Sequence, residues 1–423
     1  MGLGLRFGTA LKRSWWQLNG PDIRERFSAI ARSGEKYMQS HGLCIVFRSH
    51  VTEGRLEVFL HPSEEPVRFF EDESYLVVEA RTSSAGPGYH AFLVEWLDEL
   101  AQAGRFSWQV DLGDGVFCDE TGYVTHRDFS ALQHAMADQF KAVAKYVLEA
   151  EADNIKHFNL SLPAGFEVQG EYFAVTTLGF RNRDFFEHFV PERFCLWWNR
   201  GLDAKTLANM AASKMWVDIT WHPPVNDEEH RDLTIVKVLS ARARELDPQI
   251  ALPEEALRDV DTVLAGVELK NIEQDEIGFR RHPMRWFLTG DWSIALPGYF
   301  YQRFDPDNGQ MSIWYGDRTV HVTTFDFTPA VLELQWPSSR DGEAEHLRFE
   351  DDALRCVATL RRHQEGEISG WLLQAVCNSF SSAALVSILF MDEKDVKWAE
   401  AVLRTLQVRL PKAKADQKGV SVH

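Results

Sequence analysis

The 423-residue chain has no CxxC pair, no phosphate loop ending in Lys-Ser/Thr, no HExxH and no GxSxG. These absences exclude a zinc site built on cysteine pairs, a P-loop nucleotidase, a zincin and an elbow-type serine hydrolase. GLGLRFG near the start is not read as a dinucleotide fingerprint, whose glycines follow a strand. HRDF at residues 126–129 is not a kinase loop, because Gln133 stands where the metal-binding Asn belongs. Positive charge is in deficit, with 45 Lys+Arg against 63 Asp+Glu and a net charge of −18. Such a field opposes nucleic acid and anionic membranes and favours a protein partner with a cationic face. Cysteine is sparse: Cys44, Cys118, Cys195, Cys356 and Cys377 are odd in number and scattered. That is the pattern of free thiols in a reducing cytosol. No apolar block of signal-peptide length stands near the N-terminus, and Arg6 sits where a myristoylation signal wants Ser or Thr. A cytoplasmic location, no cofactor and no metal are therefore expected.

Long apolar runs are also missing, with one exception to weigh. WLLQAVCNSFSSAALVSILFM, residues 371–391, carries no charge, but CNSFSS divides it into two strand-length pieces. Two buried strands joined by a short turn are expected there, and no membrane insertion. No repeat with a period near 34 occurs, so a helical solenoid is not expected.

What is present is core-forming material. Hydrophobic residues make up 45% and aromatics 12%, including 28 Phe and 14 Trp. This length and composition predict two or three α+β domains with antiparallel sheets flanked by helices and a helical middle region. An N-terminal sandwich is expected over 1–155, with helices at 22–39, 91–103 and 129–150. Strands are expected at 42–51, 55–62, 74–83 and 105–112. Residues 156–284 form the middle region, with helices at 203–216, 226–248 and 251–266. Residues 285–410 read as short strands, with PDNG the clearest turn, closed by a helix near 393–408. The polar end, 411–423, is expected to be disordered.

Two stretches of the first region carry candidate chemistry. SSAGPGYH, 83–90, combines small residues, two glycines and His90 just before a helix. It could offer free N–H donors to an anion, or be an ordinary strand-to-helix turn with Ser83 or Ser84 near the cap. CDETGYVTHRD, 118–128, gathers Cys118, Asp119, Glu120 and His126 on one loop. His90 with Asp119 or Glu120 could make an acid–base pair, and His90 with Cys118 a thiol dyad. No diagnostic spacing supports either, and Asp128 could simply cap the next helix. The residues of RFCLWWNRG and two later tryptophans, Trp216 and Trp221, are too large to leave exposed together. Trp197, Trp198, Trp216 and Trp221 are therefore expected to pack between the helical part and a sheet.

In the last third, DWSIALP at 291–297 is followed by a set of hairpins and the closing helix WAEAVLRTL at 398–406. In this order it resembles the PsbP-like fold, which is shared by a photosystem subunit and by small chaperones of type VI secretion effectors. The resemblance implies an antiparallel sheet flanked by helices, protein binding or assembly work, and no catalytic centre to carry over. NLSLPAGF, 159–166, echoes SIALPGYF, 293–300, over eight residues only. The expectation is a cytosolic protein-binding protein of immunity, adaptor or chaperone type in a bacterial conflict or secretion system. The alternative is a hydrolase-type enzyme using His90 with Cys118, Asp119, Glu120 and His126 of the second loop.

Overall fold

The structure, a computed structural model, describes residues 3–11, 23–52, 54–72, 74–110, 117–152, 158–160, 174–269, 277–327, 333–337, 346–365 and 368–409. The expected tail at 411–423 and residues 161–166 of the eight-residue echo lie outside the described residues. The chain is a multidomain α+β protein and divides into two compact units, with the change at Phe279 and Arg280.

The first unit opens with a six-stranded antiparallel sheet: β1 (Gly4–Ala10), β2 (Arg48–Thr52), β3 (Arg55–Phe59), β4 (Val67–Asp72), β5 (Tyr75–Arg81) and β6 (Cys118–Asp119), in the order β2-β3-β4-β5-β1-β6. Residues alternate across it as the two-residue period of a strand requires. Leu5, Phe7, Leu56, Val58, Phe69 and Val78 point into one core with Phe27 and Ile30 of α1 (Ile23–Ser40) and Leu93, Trp96 and Leu97 of α2 (Pro87–Gly104). The opposite face carries a row of cross-strand neighbours, His50, Glu57, Arg68, Glu79, Arg6 and Cys118. Opposite charges alternate along its middle, and Arg6 reaches Glu79 at 3.1 Å.

Two strands come from segments with weak strand composition, and two expected strands shrink. β1 and β4 were not anticipated: GLRFGTA is rich in glycine, and VRFFED ends in charge. The expected strand at 42–51 begins only at Arg48, because the residues before it close helix α1. Gly42 N–H donates to Gln39 O at 3.0 Å and Leu43 N–H to Met38 O at 2.8 Å, the double closure that a left-handed glycine allows. Of the expected strand at 105–112, the described part makes only a two-way bridge between Gln109 and Gly8.

Next come α3 (Tyr123–His126) and the long α4 (Phe129–Ala152), whose Ala131 N–H is capped by Asp128 at 3.0 Å. α4 packs through Ala144 and Val147 against β7 (Phe158–Asn159), β8 (Ala174–Thr176) and α5 (Arg183–Glu187), and β9 (Gly179–Arg181) pairs with β8. α6 (Ala204–Val217), α7 (Asp227–Leu246) and α8 (Glu254–Leu264) follow. Asp203 and Asn226 cap α6 and α7, and three acidic residues fill the first turn of α7, where the helix dipole favours them. Leu207 and Met210 of α6 and Ile235, Leu239 and Ala243 of α7 enter the same core as the six-stranded sheet. The first unit thus takes in both the 1–155 region and most of the 156–284 region. A separate cluster around Trp221 joins α6, α7 and α8.

The second unit holds a three-stranded sheet, β10 (Pro283–Phe287), β11 (Trp292–Pro297) and β19 (Gln407–Val408). Its larger sheet has seven antiparallel strands: β12 (Tyr301–Asp305), β13 (Gln310–Tyr315), β14 (Arg318–Asp326), β15 (Leu347–Glu350), β16 (Leu354–Glu365), β17 (Ile368–Ser379) and β18 (Ser382–Phe390), ordered β12-β13-β14-β18-β17-β16-β15. The PDNG turn joins β12 to β13, and the uncharged 371–391 run forms the β17–β18 hairpin. Among the described residues no helix is long and apolar enough to cross a membrane. α9 (Val396–Arg404) covers the core through Ala399, Val402 and Leu403. Arg318 clasps Asp395 at 2.9 and 2.7 Å just before α9. In the same core β16 and β17 set Cys356 opposite Cys377, with their sulfurs 2.7 Å apart.

Cys44 is exposed, Cys118 half-buried, and Cys195, Cys356 and Cys377 are buried. Burial pushes the Cys195 thiol up to about 12 and raises Cys377 as well, so neither forms thiolate readily. A brief iodoacetamide pulse on the folded protein, read by peptide mass spectrometry, should label Cys44 first and Cys118 more slowly. The other three should react only after unfolding; early labelling of Cys195 would contradict this packing.

Candidate functional site

The loop at 82–90 answers its own question once the chain around it is in place. β5 ends at Arg81, and Pro87 opens α2 one residue after Gly86, so Tyr89 and His90 lie in the first helical turn. Gly86 has φ 112°, a conformation L side chains rarely adopt. Gly86 N–H donates to Thr82 O at 2.9 Å and Gly88 N–H to Trp197 O at 3.0 Å, while Trp197 N–H donates to Ala85 O at 2.7 Å. The segment around Trp197 is thereby stitched to the loop. A Cβ on Gly88 would stand 2.1 Å from Trp197 Cδ1, so only glycine admits the indole at this distance.

A carboxyl group does sit on this loop, and the chain supplies it. The Glu64 carboxyl, from the β3–β4 connection, accepts the Ala85 N–H and the Ser84 N–H. These are the small-residue donors that a bound phosphate would have used. Part of Glu64 reaches solvent, but its carboxyl end is enclosed, and burial pushes its pKa up to about 8 against the pull of those N–H groups. Beside it His61 is buried, and among the described residues neither its Nε2 nor the Tyr89 hydroxyl has a hydrogen-bond partner. The two rings lie 5.1 Å apart. Burial lowers His61 to about 3 and raises the Tyr89 phenol.

His90 and Asp119 are brought together. His90 Nε2 lies 3.5 Å from Asp119 Oδ1, and both side chains are almost wholly buried, with 0% and 1% exposed. The hydrogen bonds run through Thr121 instead of directly. Thr121 Oγ1 donates to Asp119 Oδ1 at 2.6 Å and stands 3.3 Å from His90 Nε2. Its proton is therefore spent on Asp119, and it can only accept from His90 Nε2–H. His90 Nδ1 in turn accepts from Thr82 Oγ1 at 2.8 Å. That is a neutral imidazole with the proton on Nε2, and burial lowers its pKa to about 4 against the attraction of Asp119. Asp119 also receives the Thr121 and Val124 N–H groups at 3.0 and 2.7 Å, which folds its own turn and starts α3.

The other expected residues stand apart from this pair. Cys118 and Glu120 face a crevice of about 280 Å³ on the charged side of the sheet, with Arg6, Arg68, Arg81 and Glu65. Glu120 is engaged with Gly4 N–H at 2.9 Å, and Glu65 pairs with Arg68 and Arg81 at 3.4 and 3.1 Å. His126 is exposed at the end of α3. Neither His90 nor Asp119 lines this crevice. Among the described residues no group of three or more His, Cys, Asp or Glu is arranged to hold a metal ion. Glu64, His61 and Cys195 were not singled out from the sequence. HPSEEP between two strands shows a polar turn, and nothing in its spacing shows that Glu64 folds onto a loop twenty residues later.

Comparison with known proteins adds little to this geometry. No protein-family model matches the chain, and no curated protein matches it. Among solved structures, one from Bacteroides thetaiotaomicron VPI-5482 is similar over 29% of this chain and 48% of its own, at 14% identity and a TM-score of 0.24. The chain thus spans about half the length of that structure.

Of the tryptophans, Trp197, Trp216 and Trp221 are buried and Trp198 is half-buried. Trp197 packs 5.0 Å from the Phe92 ring of α2, and Trp216 packs 5.0 Å from Phe180 of β9.

Two measurements test this arrangement. Gly88→Ala forces the indole of Trp197 or its segment outward and should cost about 1–3 kcal/mol in a urea melt, the usual penalty of overpacking. Gly201→Ala, with nothing within 4 Å of its Cβ, should cost far less. The second concerns pH. Glu64 keeps its proton to about 8 when folded, against 4.5 as its ordinary value, so stability falls as pH rises through that window. His61 and His90, lowered to about 3 and about 4 from 6.5, act in the opposite sense, and stability falls as pH drops below 6.5. Between pH 6.5 and 8 Glu64 alone of the three acts. Glu64→Gln should flatten the decline in Tm there while leaving the acid limb in place; an unchanged slope would remove Glu64 from the account.

Proposed function

We propose that this chain works by binding another protein, as an immunity, adaptor or chaperone-type protein of a bacterial conflict or secretion system in the cytoplasm. The observation that carries this reading is the closure of the His90–Asp119 pair. Both groups are buried, the carboxylate is saturated by its own turn, and the imidazole, hydrogen-bonded to two threonines, is kept neutral by burial. A general base needs an approach for substrate and a proton to take, and this pair has neither. The resemblance of the last third to the PsbP-like fold points the same way.

The partner in this reading presents a cationic face. Asp227 and Glu228 are exposed at the start of α7, Glu254 and Glu255 at the start of α8, and Glu350, Asp351 and Asp352 at the β15–β16 turn. Beside the first group Val225 is 69% exposed, an apolar contact within an acidic rim. The closeness of His90 to Asp119 supports the second reading, a hydrolase-type enzyme, which requires the 118–128 loop to open.

The partner should be recovered by pull-down from the native host and its association rate measured at low and high salt. Complementary fields raise the on-rate, so it should fall steeply with salt, and Asp227→Lys with Glu228→Lys should slow it by about tenfold. A strongly acidic partner, or an on-rate indifferent to salt, sinks the electrostatic part. Hydrolysis by the purified chain that His90→Gln abolishes would transfer the reading to the enzyme.

A further inference from the structure

A cleft in the first unit carries charge that runs against the rest of the chain. It has a volume of about 690 Å³ and is walled by β9, α5 and α6 and by the 3-10 turn at Pro191–Arg193. Among the described residues Arg181, Arg193 and Lys205 face it, against the single carboxylate of Glu192. Phe180 and Phe185 add aromatic surface, and Leu178, Ala212 and Ile277 add aliphatic surface.

Arg181 is the informative residue. It is half-buried at the end of β9, and its guanidinium lies 5.1 Å over the Phe185 ring. Its Nη1 donates to the carbonyl of its neighbour Phe180 at 2.9 Å. No carboxylate among the described residues stands within 4.0 Å of Arg181, Arg193 or Lys205. Half-buried Arg231 and Arg242 are held by backbone carbonyls, while two other enclosed cations of this acid-rich chain are paired with carboxylates. Lys214 lies between Asp218 at 2.9 Å and Asp232 at 2.8 Å, and Arg318 is held by both oxygens of Asp395. The 280 Å³ crevice on the first sheet likewise balances three arginines with three carboxylates. A half-buried cation without a counter-ion costs stability, and burial pulls the Arg181 pKa down accordingly. A fork of N–H donors left open in a cleft matches the oxygens of a phosphate group.

We propose that this cleft binds a nucleotide-sized organic anion with a phosphate head, its charge held by Arg181 with Arg193 and Lys205 and its apolar or aromatic body laid against Phe180 and Phe185. The volume falls within the range of small-molecule sites, and a few polar groups above an apolar wall is their usual composition. The site does not depend on the protein-binding reading above, which concerns acidic surfaces elsewhere.

The test uses the full chain at low salt with ATP, pyrophosphate, inorganic phosphate and poly-glutamate as separate probes, read by calorimetry and by shift in Tm. ATP should bind and raise Tm, with pyrophosphate weaker and inorganic phosphate weaker still. Arg181→Met, which keeps the apolar stem, should lose about tenfold or more in ATP affinity while the unliganded protein melts no lower than wild type. The exposed rim pair Arg193→Gln with Lys205→Gln should weaken ATP and flatten its salt dependence, which keeps the test open if Arg181→Met does not fold. Arg258→Gln on α8 serves as the control and should change nothing. No ATP binding at millimolar concentration, or equal binding in the Arg181 and control variants, overturns the site. Pyrophosphate binding as tight as ATP overturns the organic body, and binding of poly-glutamate alone overturns the small-molecule class.

Discussion

Trp197 can reach the core of the first unit only because positions 86 and 88 carry no side chain. Its ring and backbone bind the loop between β5 and α2, and most of the unit is organised around that contact. The Ala85–Trp197 and Gly88–Trp197 hydrogen bonds tie the N-terminal sheet to the segment that leads into α6. From there α6 and α7 bring Leu207, Met210, Leu239 and Ala243 to the sheet's own core. A buried indole of this size removes ~150–250 Å² from water, enough to hold a long connection in place. Two regions that read as separate along the chain are therefore one packing unit.

The same junction collects the chain's costly polar groups. Glu64, His61, Tyr89, His90 and Asp119 all lie near the start of α2, and they are managed in two ways. His90 and Asp119 are satisfied through Thr82, Thr121 and backbone N–H groups, which makes them a positioning network for the first turns of α2 and α3. His61 and Tyr89 are left with an unpartnered atom each, and burial keeps both in their neutral forms. Arg181 is the converse case, an enclosed cation that does open onto space. Access, and not the presence of titratable groups, separates the two.

In the second unit the constraint is simpler. A seven-stranded antiparallel sheet buries alternate residues of β16, β17 and β18 beneath α9, and Arg318 with Asp395 anchors the turn into that helix. The uncharged run from 371 to 391 is explained by this burial. Its serines turn the hairpin, with Ser379 Oγ donating to Ser382 O at 2.9 Å.

By itself the sequence determined the α+β class, the long helices and the hairpins of the last third. Each of these rests on short-range physics: apolar residues at helical or alternating spacing, caps such as Asp203 and Asn226, and turns such as PDNG. It also determined the sign of the surface field and placed His90 and Asp119 among the candidates. β1 was hidden because its glycines lower strand propensity, while its partners β5 and β6 lie far along the chain. Only the tertiary structure decided that the Glu64 carboxyl takes up the N–H donors of the 83–90 loop, that Thr121 stands between His90 and Asp119, and that no carboxylate among the described residues pairs with Arg181. Each of those depends on which distant segments share a few ångströms of enclosed space. Local spacing carries no record of that, because burial and access arise only when the whole chain packs.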